Sequence, residues 1–285
     1  ISVPLVTATR SLSRGDLISQ YDLTMGMIEL HRFRRQGFSD PKLVIGAKLK
    51  KSIRPFVNCI MSNEVNIGNE ELKIPLYADG YPGIMFQLSE NGFYLMPKNK
   101  RLSELFLYGQ TLKPVSLEVQ GAYKYIVFQL YPFASKYLLG INPKELNDDC
   151  YDLLQIVNVD VQKYHQKLLV TADLNEQIEI ISDLIEELIE KNKVDQDDRI
   201  QKFIKQIIET EGRVKIKSLR DEAFLTERTL ERNFKTETGL TPKKFQRSKR
   251  CKTVVTEICA TKSDDWIKYV SDYSYYDQAH FIKDI

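Results

Sequence analysis

Between Leu174 and Leu188 apolar residues recur at steps of four and three. Leu174, Ile178, Ile181, Ile185 and Leu188 thus make one stripe, and the positions between them are largely acidic. The spacing predicts an amphipathic helix over "TADLNEQIEIISDLIEELIEKNK" with a solvated acidic face. Its stripe packs on the chain's own domain or, as the competing use, in a short antiparallel contact with a second copy. Upstream the period changes. From about 52 to 165 the short runs "DGYPGIMFQLS", "NGFYLMP", "ELFLYGQ" and "VSLEVQGAYKYIVFQLYP", rich in Tyr, Phe, Val and Ile, are separated by Gly, Pro, Asn and Asp. Such runs predict strands, and their spacing fits a barrel or sandwich. "YPFASKYLLGINPKELNDDCYDLLQI" returns to helical spacing, with Asn142 and Pro143 as start signals. Residues 1–51 alternate β-type runs around the turn "SRGD", "KVDQDDR" reads as a solvated linker, and beyond Ile200 short helical patterns recur between "EGR", "TGLTP" and "ATKSDD".

The stretch from Ile216 to Arg250 has the grammar helix, tight turn, helix. Ile216, Leu219 and Ala223 share one face, "FLT" is too short for anything but a turn, and Thr226 is placed to cap a second helix that turns Leu230 and Phe234 inward. Glu227, Arg228, Glu231, Arg232 and Lys235 then point outward, the division that a base-reading helix requires. Gly239 ends that helix and Pro242 suits the first turn of the next. The next helix carries Lys243, Lys244, Arg247, Lys249, Arg250 and Lys252 with no acid between Thr241 and Thr253, a run that can hold phosphates. The same outward face would also suit an ordinary solvated helix.

The charge distribution sharpens this picture. The 285 residues carry a formal net charge of only +2, but from Gln201 onward 18 Lys and Arg stand against 13 Asp and Glu, a net +5; the first 200 carry 23 against 26, a net −3. The basic character is concentrated at the C-terminal end. A chain of this length exceeds the usual single domain. Cys59, Cys150, Cys251 and Cys259 form no CxxC pair and stand at no metal-ligand spacing from a His, so reduced, packed thiols are expected and no metal or cofactor. No apolar run reaches the length of a membrane span and no secretory leader opens the chain, so the expectation is a cytoplasmic protein without a membrane partner. His31, His165 and His280 lie far apart, and no GxSxG, Walker or GxGxxG pattern occurs, so no enzymatic activity is expected.

"TERTLERNFKTETGLTPKKF" and "YYDQAHFIKD", joined by the segment around Arg250 to Ala260, resemble the double helix-turn-helix of the AraC/XylS transcription regulators over about the last 85 residues. The resemblance implies two helix-turn-helix units entering successive major grooves of double-stranded DNA. It carries base-reading roles onto Arg228, Glu231 and Arg232 in the first unit and Gln278, Ala279 and Lys283 in the second; Lys235, Lys243, Lys244 and Arg247 complete the expected DNA contacts. Two departures stand out. Ser274 occupies a position usually held by Gly, and the sequence stops at Ile285 within the second reading helix, so that unit is expected to be weak or frayed.

"IRPFVNCIMSNE", "IPLYADGYPGIMFQL" and "LYGQTLKPVSLEVQGAYKYIVFQLYPFASKYLLG" resemble the cupin-like sensor domain of one subset of these regulators. That resemblance leaves room for a small-molecule effector and a homodimer. Tyr81, Met85, Phe86, Tyr108 and Phe128 would line an apolar pocket or simply be core, and Asp79 and Gly80 serve a turn. "RGDLISQYDL" and "VIGAKLKKSIRP" are similar to the SAF β-clip module of periplasmic flagellar P-ring assembly chaperones, which makes a chaperone-like protein, or a fused chain with impaired DNA binding, the alternatives. The expected fold is α+β and multidomain: a β-clip-like front piece (1–51), a β-rich, cupin-like barrel (52–170), an amphipathic helix and linker (171–199) and an all-α, truncated double helix-turn-helix domain (200–285).

Overall fold

The computed structural model describes residues 42–44, 49–76, 80–113, 115–140, 142–192, 197–261, 266–273 and 275. The chain divides into a unit Ile1–Gly37 and a unit Phe38–Ile285, and every described residue belongs to the second. The β-clip reading of the front piece therefore lies almost wholly outside the described residues. Its tail supplies β1 (Lys42–Leu43), which pairs antiparallel with Ser62 and Met61.

The spine of the sheet is β7 (Val115–Leu130), whose alternation gives it two apolar faces. Leu117, Val119, Tyr123, Tyr125 and Val127 join one buried cluster, and Ile126, Phe128 and Leu130 join another. β2 (Val57–Leu76) runs antiparallel along its whole length, from Val57 opposite Leu130 to Leu76 opposite Val115. The register slips between Asn66 and Glu71, across from Gly121. Gly121 has φ +84°, a left-handed conformation that strains any residue with a side chain, so glycine suits this bend. On its other edge β7 carries β3 (Gly83–Ser89) and β4 (Tyr94–Met96), and β4 forms a hairpin with β5 (Lys100–Arg101). β6 (Leu105–Tyr108) and β8 (Cys150–Asp152) complete the order β1-β2-β7-β3-β6-β8, antiparallel throughout. The expected barrel is thus an open, curled sheet: among the described residues its end strands pair only inward, and one apolar face closes over itself.

The same alternation overturns the single apolar pocket. Met85 and Tyr108 belong to one face, whereas Phe86 and Phe128 belong to the other, each covered by a different set of neighbours. Four of the five side chains thus belong to two separate cores, and the fifth, Tyr81, lies against the Lys249 ammonium.

The helices cover the face that holds Ile84, Phe86, Ile126 and Phe128. α1 (Ala134–Leu139) ends at the left-handed Gly140, and a 3-10 turn (Pro143–Leu146) follows with Asn142 accepting from the Lys144 N–H. α2 (Val161–Val170) starts at the cap Asp160. α3 (Leu174–Asn192) buries Ile178, Ile181, Leu184, Ile185 and Leu188, so its stripe is consumed by the chain's own core and is not available to a second copy. α4 (Asp198–Glu209) begins inside the segment expected to be linker, because Asp197 accepts from the Ile200 N–H and nucleates the turn. One buried cluster extends from Ile53 to Phe245, joining strands and C-terminal helices across a common core. Among the described residues no helix is long and apolar enough to cross a membrane.

Candidate nucleic-acid interface

α5 (Ile216–Glu222) sets Leu219 into the core, with Ile216 and Ala223 half-buried against it. The chain reverses at Phe224, which has φ +55° and is 96% exposed, a conformation that a bulky residue rarely adopts. Thr226 then caps α6 (Glu227–Thr238), its hydroxyl accepting from the Thr229 N–H at 3.2 Å. Leu230 and Phe234 are buried, and Phe234 packs on Phe245 with ring centroids 5.7 Å apart. Arg228, Glu231, Arg232 and Lys235 are exposed on the other side. Among the described residues no ion pair engages Arg228 or Lys235, and Arg232 makes only a long contact of 3.4 Å to the Asn233 side-chain oxygen. Glu227 sits in the first turn, where a carboxylate suits the positive end of the helix.

α6 stops at Gly239, whose φ of +77° places it in the left-handed region. α7 (Pro242–Thr261) begins with the proline the sequence marked. Lys243, Lys244 and Arg247 are exposed. The other three cations of the run are not. Lys249 is 5% exposed and lies four residues after the buried Phe245, hence on the same face; its ammonium stands 3.2 Å from the Tyr81 ring centroid. Arg250 is half-buried with its guanidinium 4.4 Å from the Tyr275 ring, and Lys252 is half-buried. The exposed part of the run is therefore three residues long, and the Lys249 ammonium makes a cation–π contact with Tyr81 instead.

The C-terminal end of α6 is held by groups the sequence did not single out. Glu237, 3% exposed, pairs with Lys136 of α1 and accepts from the Tyr137 hydroxyl at 2.8 Å. Burial, followed by that bond to Glu237, pushes the Tyr137 phenol well above its ordinary value. The carbonyl of Thr238 accepts from the Gln110 side-chain amide at 2.6 Å. A Cβ at Gly239 would come 2.7 Å from the Lys144 backbone nitrogen, so the 3-10 turn presses directly on the helix end. A cleft of about 530 Å³ opens beside these groups, lined by Lys136, Asp197, Asp198, Arg199, Asn233, Thr236 and Glu237. The signal was present in the sequence, because Glu237 lies three residues after Phe234 and so shares its buried side.

α8 (Trp266–Asp272) lays Tyr269 and Tyr273 inward, and the Tyr273 hydroxyl donates to Glu257 at 2.5 Å. Gln278, Ala279 and Lys283, as well as Ser274, lie outside the described residues, and so does the expected fraying of the second reading helix. His31 and His280 lie outside them too. His165 hydrogen-bonds Glu104 at 2.6 Å, far in sequence from the charged surface. Asp149 is pushed up by burial but drawn further down, to about 2, by hydrogen bonds from Lys100 and Lys98, while burial pushes the neighbouring Cys150 thiol up to about 12. These groups brace β8 and its approach. Among the described residues no three His, Cys, Asp or Glu side chains gather as a cation site.

Residues 50–152, the segment from just before β2 to the end of β8, match the family model of a domain of unknown function, DUF6597. No curated protein matches the chain. Among solved structures, ToxT from Vibrio cholerae O395 is 10% identical at a TM-score of 0.42, over 79% of this chain and 92% of that one. ToxT from the same strain bound to (E)-4-(8-methylnaphthalen-1-yl)but-3-enoic acid is 12% identical at 0.41, over 79% and 93%. Unsaturated fatty acid bound ToxT from Vibrio cholerae strain SCE256 is 10% identical at 0.42, over 83% and 91%. At this distance the likeness carries no residue role across.

Proposed function

We propose that the chain is a sequence-specific DNA-binding transcription regulator of the AraC type, with α6 in the major groove of double-stranded DNA. The observation that carries the proposal is the outer face of α6. It presents Arg228, Glu231, Arg232 and Lys235 to solvent while Leu230 and Phe234 fix its back in the core. Arg228 and Arg232 are suited to the paired acceptors of guanine, and Glu231 to the amino group of cytosine. Lys235, Lys243, Lys244 and Arg247 hold the flanking phosphates, which position the protein without reading sequence. Gln278, Ala279 and Lys283 take the second groove in the same proposal, on the sequence resemblance alone. The curled sheet is the unit through which a small-molecule effector would act. No catalytic step and no cofactor belong to this function.

The test is selection of the full chain on a random-duplex pool at two salt concentrations. A common enriched site whose binding weakens steeply with salt supports the proposal. Retention without enrichment, or no retention at low salt, rejects sequence-specific readout.

A further inference from the structure

Resting on the reading of α6 as the DNA-contacting helix, we propose that Glu237 is a positioning residue. It clamps the C-terminal end of α6 to the strand-built part of the molecule, which thereby sets the angle at which Arg228 and Arg232 are presented. Glu237 has a side chain only 4% exposed and ties three helices together: Lys136 and Tyr137 come from α1, and Gln201 of α4 reaches the Tyr137 hydroxyl at 3.4 Å. A buried ion pair is weak as a source of stability, since an apolar residue of the same volume serves as well. What it supplies is direction, because charge-assisted hydrogen bonds hold only over a narrow geometry.

The next two residues are held as firmly and by different elements. Thr238 is anchored through Gln110, in the loop after β6, and Gly239 abuts the 3-10 turn at Pro143 and Lys144. Three consecutive residues at one end of α6 are therefore fixed by three separate parts of the sheet unit. Glu237 follows Arg228 by nine residues, about two and a half turns, so the clamp grips the side opposite that arginine. Arg228 lies about 14 Å along the axis from the clamp, and a tilt of about 10° there displaces it by about 2 Å. A hydrogen bond to a base edge does not survive such a shift.

The experiment uses the full chain carrying Lys136→Met with Glu237→Gln, which removes both charges and keeps the volumes, and separately Tyr137→Phe. Hydrogen exchange of the amides from Thr236 to Gly239 is measured without DNA, and the selected duplex is titrated against a random duplex. The proposal expects at least tenfold faster exchange at those amides and at least a tenfold fall in the ratio of specific to random-duplex affinity, with an unchanged salt slope. A folded variant with the wild-type affinity ratio overturns it, since a purely structural role would change stability and leave the ratio alone. If the double variant does not fold, Tyr137→Phe is held to the same two criteria. Should the wild-type chain select no duplex, the regulator reading fails by itself, and unaltered exchange in the variants then overturns the clamp independently.

Discussion

α3 and α6 are both amphipathic helices with an apolar stripe in the same core, yet they treat their charges in opposite ways. On α3, Lys50 reaches Asp183 at 2.7 Å and also Glu186, while Lys163 and the Tyr164 hydroxyl converge on Glu187 at 2.9 and 2.6 Å. Three of the six acids on α3, Asp183, Glu186 and Glu187, are thus paired within the chain. On α6 the exposed charges Arg228 and Lys235 have no ion-pair partner among the described residues. Amphipathicity alone does not mark an interface. What separates the two is the sign of the charge left unpaired: acidic on α3, where Glu176, Glu179 and Glu190 make no ion pair among the described residues, and cationic on α6, the sign that suits the phosphates of the proposed partner.

The comparison is broken most violently from behind. Phe234→Ala removes a fully buried ring from the joint between α6 and α7 and is expected to cost about 4 kcal/mol in urea denaturation; a loss under about 1 kcal/mol would mean that α6 is not anchored as described. Next comes the front of the same helix. Arg232→Ala is expected to weaken binding to the selected duplex by about 1–3 kcal/mol with unchanged melting temperature, and Lys244→Ala to weaken every duplex and lower the salt slope by about 1. Phe224→Gly relieves an exposed residue held at φ +55° and should raise stability by about 1 kcal/mol; calorimetry showing destabilisation would indicate that the ring has a packing role.

The mildest change is on α3. Glu187→Gln should lower the melting temperature slightly and leave duplex binding untouched. Hydrogen bonds from Lys163 and Tyr164 pull the Glu187 carboxyl below its ordinary value, so its contribution is present above the ordinary carboxylate range and is lost as pH falls through it. The stability gap between wild type and Glu187→Gln should therefore narrow once pH falls below the ordinary glutamate value of about 4 and vanish below the lowered value of the folded state. A gap that widens on acidification would reverse the assignment.

What was legible in the sequence follows from how local each signal is. Thr226, Gly239 and Pro242 mark their helix ends through their own backbone chemistry, and the α3 stripe repeats often enough to be unmistakable. β2 was not singled out, because "NEVNIGNEEL" interrupts its alternation where the register slips against β7. α2 is faint in the sequence for a related reason: "VQKYHQKLLV" buries only Val161, Tyr164 and Leu168, too short a stripe to outweigh its polar residues. Lys249 belongs to the basic run along the chain but not around the helix, where it shares the buried side of Phe245. The partners of Glu237 were out of reach for a different reason, since Lys136 and Tyr137 are a hundred residues away and meet it only when the sheet and helices share one core.

Whether α6 reads bases is decided by repeating the duplex selection with wild type and Arg232→Ala side by side. Base reading yields one shared motif in which the variant loses preference at a single base position and keeps the rest. An identical motif from both proteins, or equal weakening on every sequence, would contradict it.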